Sequence, residues 1–286
     1  MSLTVHHHQP THMSGRLMGT HLQSLGRSQE RLSSGMKINR SGDDASGLVI
    51  SEGWRSSIRG AQKALNNAQD GLNVLNIADG ALGEMTNVLQ DMRELAVQIA
   101  NDTVTDAQRA QIDSSHFNQM IAELDRVSAS ANFNGINLLD GSRNGVGNFV
   151  LQIGSESSPS ANTLDLGAAG VFAAVDTATL GVDNASVGID TRANALAAIT
   201  AIDAALTQVV GQRTTLGGMQ VRLEGVTDNL LNAIELQSQS ESRIRDTDVA
   251  AEGAELVRSQ LLQQSSATLF AQSNQSRSVA LSLLAG

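Results

Sequence analysis

The chain has 286 residues, enough for one large domain or two small ones, and its formal net charge is −10 at pH 7. The chain has no cysteine, which excludes a disulfide framework and a thiolate metal site. It has no tyrosine and an aromatic content of 2%, so its core must be aliphatic. No run of 18 apolar residues occurs, and the acidic balance argues against nucleic acid or an anionic membrane as a partner.

The first 40 residues predict a helix with one apolar side. The apolar residues that follow helical spacing there are Met18, Leu22, Leu25 and Leu32. Histidines precede this seam at His6, His7, His8 and His12. Two of them, His8 and His12, would lie one helical turn apart, but Pro10 disfavours a continuous helix through them and no carboxylate is nearby. We therefore predict no metal site at this cluster, and its role is left open.

Residues 61–100 predict a long amphipathic helix. One apolar seam advances by four and three residues through Val74, Ala78, Ala81, Met85, Val88, Met92, Leu95 and Ile99. A second stripe beside it contains Leu65, Ala68, Leu72, Leu75, Leu82 and Leu89. Two stripes on one helix predict packing against more than one neighbour, as in a helical bundle.

Two further helices complete the predicted bundle. The first runs from Thr105 to about Ser128, with a capping box between Thr105 and Gln108 and a short connection that favours an antiparallel hairpin. The second spans roughly residues 191–240, on a heptad that holds Ile199, Ile202, Leu206, Val209, Leu216, Leu223, Leu230 and Ile234. Polar Arg213, Gln220 and Thr227 interrupt that heptad, and such interruptions more often set helix register than carry chemistry.

Between these helices the pattern changes to that of a short β insert. Phe149, Leu151 and Ile153 occupy every second position, which predicts a strand. The pairs Asp140-Gly141 and Asn144-Gly145 are typical of hairpin turns. We expect a small, exposed β-hairpin within residues 143–190, where sequence variation would be tolerated.

The C-terminal segment is apolar and rich in amides, and it carries almost no charge. Residues 259–286 contain Arg277 as their single charged side chain, and residues 1–29 contain two, Arg16 and Arg27. The apolar residues predicted to form its helical face are Leu261, Leu262, Leu269, Phe270 and Leu283. Neutral amides can be buried once they are hydrogen-bonded, whereas charges need paired partners. Both ends are therefore predicted to be enclosed by other copies of the chain; a disordered tail is the alternative.

Motifs of enzymes are missing from the sequence. It contains no H-E-x-x-H, G-x-S-x-G, P-loop or dinucleotide fingerprint, so we predict no enzyme activity and no cofactor. Asp43 and Asp44 could act as a carboxylate pair, but after Ser41-Gly42 they are more typical of the start of a helix.

The sequence resembles bacterial flagellin at both ends. The resemblance is carried by ERLSSGMKINRSGDDASGLVIS at 30–51, LQDMRELAVQIAND at 89–102 and ELDRVSASANFNGINLLDGS at 123–142. It resumes at SRIRDTDVAAEGAELVRSQLLQQSSATLFAQSNQ, residues 242–275, and continues through SVALSLLAG. About 30–142 and 195–286 are covered, which is more than one short motif could give.

This resemblance implies a mainly α fold, a long antiparallel helical bundle or coiled coil with a small β-hairpin insert and with the N- and C-terminal helices paired in an inner domain. The implied domains are 1–40 with 248–286 as the filament core, 41–142 with 191–247 as the bundle, and 143–190 as a short exposed insert. The implied function is that of a structural subunit that self-polymerises into the flagellar filament for swimming motility. A hook–filament junction protein shares the terminal signatures and is the near alternative.

Family membership further implies an extracellular location after export without a cleavable signal peptide. It also implies an export chaperone, a filament cap and hook-junction proteins as partners. A surface that resembles the one seen by the vertebrate flagellin receptor includes Asp91, Arg93, Leu95 and His116. Asp91 stands where a basic residue is usual and His116 where an acidic one is, so we expect weakened recognition.

An intracellular coiled-coil scaffold or adaptor is the alternative from a different class. It would explain the heptads at 61–100 and 191–240 equally well. It would not explain uncharged ends, because a cytosolic coiled coil normally carries charges beside its seam.

Overall fold

The computed structural model describes residues 9–158, 162–184 and 186–285, with side chains omitted at 9–12, 14, 276, 277 and 280–285. The helices are α1 Gln9–Ser34, α2 Ala45–Ile99, α3 Asp106–Ile112, a π-helical turn Asp113–Phe117, α4 Asn118–Ser130, α5 Thr177–Leu180, α6 Arg192–Arg245 and α7 Val249–Ala285. The strands are β1 Asn132–Phe133, β2 Ile136–Asn137, β3 Val150–Gln152 and β4 Thr163–Asp165. The mainly α fold predicted from the sequence is confirmed.

The chain forms two compact units. The terminal unit consists of Met1–Ser56 and Leu236–Gly286, and the central unit is Ser57–Glu235. The long helices α2 and α6 contribute residues to both.

The core of the central unit is built on α2. Both predicted stripes of this helix face inwards, and Val74, Ala78, Leu82, Met85, Leu89, Met92 and Ile99 are buried. Residues of the first seam such as Ala81, Val88 and Leu95 are half-buried and pack against the same cluster. A helix with two buried stripes needs neighbours on two sides, and α4 and α6 supply them through Leu124, Ile202, Val209 and Leu216.

Polar side chains connect α2 to α6 at fixed points of the seam. The Arg213 Nε donates to Asp79 Oδ1 at 2.9 Å, and the Gln220 Nε2 donates to Asn76 Oδ1 at 2.9 Å. The later residue of α2, Asp79, contacts the earlier residue of α6, Arg213, and Asn76 contacts the later Gln220. The two helices are therefore antiparallel. The predicted role of Arg213 and Gln220 in setting register is consistent with both contacts, whereas the Thr227 hydroxyl donates to the Leu223 carbonyl of its own helix.

The helix predicted from Thr105 is present but interrupted. Its start is held because the Thr105 N–H and the Thr105 hydroxyl both donate to Gln108 Oε1, each at 3.0 Å. One turn of π-helix then separates α3 from α4, which the apolar spacing did not indicate. Asp113, the first residue of that turn, accepts the Ile189 N–H at 2.8 Å. The π-helical turn is therefore hydrogen-bonded to a later segment of the chain.

The β-structure differs in detail from the prediction. β3 pairs antiparallel with β4, with Leu151 opposite Leu164, so a strand at the alternating residues is confirmed. The predicted hairpin turns were wrong, because Asp140-Gly141 and Asn144-Gly145 lie in the loop before β3. The two-residue hairpin turn is Asn134-Gly135, between β1 and β2, where both residues have positive φ (51° and 77°).

Much of the segment 143–190 contributes to the core. Its buried apolar residues are Leu164, Leu166, Val171, Phe172, Val175, Leu180, Val182, Val187 and Ile189. The rings of Phe149 and Phe172 lie 4.9 Å apart. A composition rich in glycine, alanine and serine predicts an exposed insert, but most of its widely spaced apolar residues pack into the core cluster of the central unit. Val146 is 86% exposed, so the outer side of the segment still meets solvent.

Helix α6 has an apolar outer face as well as an inner one. An 18-residue stretch within it has a mean hydropathy of 1.4 and is only 28% buried, and by length and composition alone the helix could cross a membrane. Because its inner face packs in the core of the central unit, we read the helix as part of the bundle.

A glycine close to three backbone atoms gives a test of the insert. A Cβ on Gly167 would clash with the Gly145 carbonyl oxygen and would lie 2.7 Å from the Arg143 carbonyl oxygen. We expect Gly167→Ala to lower the free energy of unfolding by about 1–3 kcal/mol, because backbone cannot move aside as a side chain can. Urea unfolding followed by circular dichroism measures it. Gly218→Ala in α6 is the control, since nothing lies within 4 Å of its Cβ, and it should stabilise by about 0.5–1 kcal/mol. Equal behaviour of the two variants would contradict the proposed packing.

Candidate functional site

The terminal helices α1 and α7 pair along their length. Ser24 lies opposite Ser259, with hydroxyl oxygens 3.3 Å apart, and Arg31 lies 3.5 Å from Glu252. Gly15 approaches the ring of Phe270, with 4.0 Å between the ring and the position of a Cβ. Increasing numbers on α1 again meet decreasing numbers on α7, so this pair is antiparallel.

Small polar side chains line the contact between α1 and α7. The buried ones are Ser28, Ser259 and Ser266, of which Ser259 is 1% exposed. Among the described residues of the terminal unit, Ile38 is the only large apolar side chain that is buried. Serines let two helices approach closely but remove little apolar surface from water, so this pair has almost no hydrophobic core of its own.

Most of the predicted assembly residues face outwards or are only partly covered. Leu22, Leu261, Leu262 and Leu269 are exposed, and Leu269 reaches 61%. Met18, Leu25, Leu32 and Phe270 are half-buried. The side chain of Leu283 lies outside the described residues, as do His6, His7 and His8. The structure of a single chain therefore shows a paired-helix unit with its leucines presented to the surroundings.

Two linkers meet where the terminal helices join the long ones. We call residues 35–37 and 245–247 the linker clasp. The Lys37 N–H donates to the Arg245 carbonyl at 2.6 Å, the Thr247 N–H donates to the Gly35 carbonyl at 2.9 Å, and Met36 forms an antiparallel bridge with Asp246. The two hydrogen bonds together make this bridge, and they hold the linkers side by side.

Ion pairs surround the linker clasp. Arg245 donates to Glu52 Oε1 at 2.6 Å, and Arg55 lies 3.7 Å from Glu241. Hydrogen bonds from Arg245 and then from Arg55 hold the pKa of the Glu52 carboxyl below its usual value. Among the described side chains, none in 13–29 or 259–279 forms an ion pair. The described ion pairs of the terminal unit thus lie near the linkers, and few charged residues occur towards the chain ends.

The two aspartates singled out in the sequence have separate local roles. Asp44 caps α2, because its Oδ1 accepts the Gly47 N–H at 2.9 Å. Asp43 closes the preceding loop by accepting the N–H groups of Arg40 and Asn39, and the Arg40 N–H is the main cause of its lowered pKa. The prediction that these are helix-start residues agrees with both positions.

The receptor-like surface predicted on the bundle is only partly free. Asp91 and His116 are exposed, and Leu95 is half-buried. The Arg93 Nε donates to Asp203 on α6 at 2.6 Å, so Arg93 serves a helix–helix contact. Over the part of the chain that the structure describes, no group of His, Asp and Glu residues is placed to hold a metal ion.

Sequence reasoning missed two features. The first is the linker clasp, whose contacts are mostly between backbone atoms and so leave no residue-type signature. The second is Arg109, which is 5% exposed and donates to the Ile99 and Asn101 carbonyls, closing the corner between α2 and α3. A lone arginine in a polar stretch gives no signal of burial before the fold is known.

Comparison with known proteins gives matches over nearly the whole chain. Residues 6–144 match the family model of the bacterial flagellin N-terminal helical region, and residues 199–284 match that of the C-terminal helical region. A flagellin of Halalkalibacterium halodurans is 40% identical over 282 residues, covering 99% of this chain and all of the relative.

Two further relatives are flagellar proteins. The flagellin of Bacillus subtilis is 38% identical over 90% of this chain and 92% of its own length. The flagellar filament 33 kDa core protein of Treponema phagedenis is 36% identical over 99% of this chain and all of its own length. The crystal structure of Bacillus cereus flagellin is 29% identical, covers 58% of this chain and 88% of its own, and has a TM-score of 0.48.

The serine contact between α1 and α7 leads to a test. We expect Ser259→Leu to push the helices apart, because the site is buried and faces another helix, and to cost about 1–3 kcal/mol. Amides of α1 should then exchange with solvent roughly tenfold faster or more by mass spectrometry, as about 1.4 kcal/mol corresponds to a factor of ten. Ser259→Ala, which keeps the small volume, is the matched control and should change exchange far less. Unchanged exchange in Ser259→Leu would refute the close pairing.

Proposed function

This chain belongs to the bacterial flagellin family and is a structural subunit of a flagellar filament, and we propose that its terminal unit forms the shared core of that filament. The observation that supports the proposal is the outward presentation of Leu22, Leu261, Leu262 and Leu269 on a helix pair that buries almost nothing itself. The family self-polymerises, so the available cover for these leucines is another copy of the same chain.

The energy available from this surface is sufficient to drive association. Fully burying one exposed leucine contributes about 1.5–3 kcal/mol, and each chain offers several on α1 and α7. Association also costs at least about 4 kcal/mol in lost translational and rotational freedom. One leucine would not overcome that cost, but a continuous apolar face shared between neighbours would.

The polar residues between the leucines suit burial on all sides. An ordinary surface helix carries Lys and Glu on its outer side. In residues 259–276 of this chain, Gln, Ser, Thr and Asn take their place. Neutral side chains can be enclosed by neighbouring helices once their hydrogen bonds are made, whereas an unpaired charge could not. The terminal unit is thus chemically suited to a closely packed polymer interior.

A second contact surface lies on the outer face of α6 in the central unit. Leu196, Val210 and Val221 are exposed there, with Val221 at 69%. The charged Asp203 on this face is already paired with Arg93. We propose that bundles of neighbouring subunits touch along this face, and that small changes of register at such contacts permit different supercoil forms.

The placement of the parts and their further partners also belong to this proposal. Residues 1–40 with 248–286 would form the inner domain, 41–142 with 191–247 the bundle around it, and the outer side of 143–190 would meet the medium. The subunit would act outside the cell, after export without a cleavable signal. An export chaperone, a filament cap and hook-junction proteins would be its partners, as the family resemblance implies.

Truncation tests the role of the terminal unit. We expect a chain that lacks residues 259–286 to keep a folded central unit, because the core of that unit lies wholly within Ser57–Glu235. It should not polymerise, since α1 has lost the partner of its serine face. Electron microscopy and sedimentation after seeding measure assembly, and circular dichroism measures the fold.

A milder variant separates lost assembly from lost folding. Leu261→Ser with Leu269→Ser removes two exposed leucines and should abolish or strongly weaken polymerisation while leaving the unfolding of the central unit unchanged. Val146→Ser removes an apolar side chain that is 86% exposed in the insert, and it should polymerise normally. Normal filaments from the double leucine variant would overturn the proposed role of the terminal unit.

Immune recognition provides an independent test of the bundle surface. We expect the purified monomer to activate a vertebrate flagellin-receptor reporter less strongly than a standard flagellin, because Asp91 and His116 alter the charges of the resembling surface. The double variant Asp91→Arg with His116→Asp should raise the signal. Arg93→Ala should not raise it, because this change breaks the contact between Arg93 and Asp203. Full activation by the unaltered monomer would contradict the proposal.

A further inference from the structure

The chain has almost no side chain that titrates between pH 8.5 and 12. It contains no tyrosine and no cysteine, and of its 19 basic residues only Lys37 and Lys63 are lysines, which leaves 17 arginines. Cysteine, tyrosine and lysine have ordinary pKa values of about 8.5, 10 and 10.4, whereas arginine stays protonated throughout this range. The formal charge therefore changes only by the two lysines over this range.

Arginine also supplies the cation of the ion pairs around the clasp and between the long helices. Eleven pairs of described residues join an arginine to an aspartate or glutamate. Lys63 lies exposed on α2, and Lys37 contributes its backbone N–H to the linker clasp while its side chain is exposed. Neither lysine side chain joins two helices in the described contacts, so the loss of their charge leaves those contacts intact.

These arginine pairs are concentrated around the linker clasp, where four helices meet. Glu52 lies between Arg245 of α6 and Arg55 of its own helix, Arg31 of α1 faces Glu252 of α7, and Arg40 reaches Glu30. The titratable and charged groups of the elements around the clasp are Glu30, Arg31, Lys37, Arg40, Asp43, Asp44, Glu52, Arg55, Glu241, Arg243, Arg245, Asp246, Asp248 and Glu252. Apart from Lys37, this set consists entirely of carboxylates and guanidinium groups.

We propose that the linker clasp is a joint that responds to pH on one side only: it keeps its contacts from neutral into strongly alkaline conditions and is released by acid. Carboxylates are already ionised at neutral pH, and guanidinium groups remain protonated as the pH rises. Each pair therefore keeps both charges throughout the alkaline range. A joint built on lysine would lose one charge of each pair as the pH passes about 10.4.

The release in acid comes from the carboxylates of the same pairs, because they are protonated as the pH falls. The pKa of Glu52 is lowered in the fold, so its contribution to stability is present above the ordinary glutamate pKa and is lost as the pH falls through the lowered value. In the central unit the pKa values of Arg93 and Arg213 are raised by Asp203 and Asp79, so those contributions are lost only above the ordinary arginine value.

The biological meaning of this joint rests on the proposed function. A filament meets the surrounding medium without the buffering of a cell, and subunits whose linkers hold at high pH would suit an alkaline medium. The chemistry of the joint itself can be measured on the full-length monomer, independently of polymerisation.

Arginine-to-lysine substitution tests the joint. The probes are the unaltered chain, Arg245→Lys and Arg31→Lys, with Arg258→Lys as a control because Arg258 pairs only with Glu255 one turn away on the same helix. Thermal unfolding is followed from pH 8 to 11.5 by the fluorescence of Trp54, the single tryptophan, which lies in α2 of the terminal unit two residues after Glu52. The change between pH 9 and 11 is compared, so that any constant offset from the substitution cancels.

The unaltered chain and Arg258→Lys should show a flat midpoint between pH 9 and 11. Arg245→Lys and Arg31→Lys should each fall by roughly 2–4 °C, the shift expected for about one ion pair in a unit of this size. Below pH 4 all four proteins should lose stability together. A fall of the unaltered chain between pH 9 and 11, or a flat profile in both clasp variants, would overturn the proposal. Sedimentation of the same proteins at pH 7.5 reports on polymerisation separately, so a failed joint and a failed assembly function are distinguishable.

Discussion

The close approach of α1 and α7 through small polar side chains is the contact on which the rest of the molecule's behaviour depends. Ser28, Ser259 and Ser266 occupy the positions where a stable two-helix unit would place leucine or isoleucine. Their size brings the backbones together, and their polarity limits the energy gained. A pair made in this way stays marginal until something covers its outer faces, which ties its order to its assembly.

The charge distribution divides this unit into two parts with different tasks. Near the linkers, arginine pairs such as Arg31–Glu252 and Arg245–Glu52 join helices within one chain. Exposed pairs of this kind are worth little individually, at about 0–1 kcal/mol, but several around one joint restrict its geometry. Towards the chain ends the described side chains form no such pairs, and apolar and amide side chains replace them. Contacts within the subunit and the proposed contacts between subunits therefore use different chemistry and can be altered separately.

The sequence predicted the long helices well because their periodicity is strong and uninterrupted. The α2 stripe from Val74 to Ile99 repeats over several turns, and no strand could bury such a pattern. It predicted the insert poorly because Val171, Phe172 and Val182 follow no period and are buried through tertiary packing alone. The leucines that we propose for assembly were chosen from their spacing. The serine face between α1 and α7 could not be predicted, since a buried serine and a solvated one look alike in sequence. The linker clasp could not be predicted from the sequence because its contacts are between backbone atoms.

The cross-helix contacts at Asp79–Arg213 and Asn76–Gln220 have a mechanical consequence for a swimming appendage. If α2 slid along α6 by one heptad, apolar side chains would still pack against apolar side chains, because the heptad pattern repeats. The slide would, however, separate four polar groups from their partners at once. The bundle of the central unit is thus stiff in shear, and a rod made of such bundles can transmit twist along its length instead of dissipating it by slippage within each subunit.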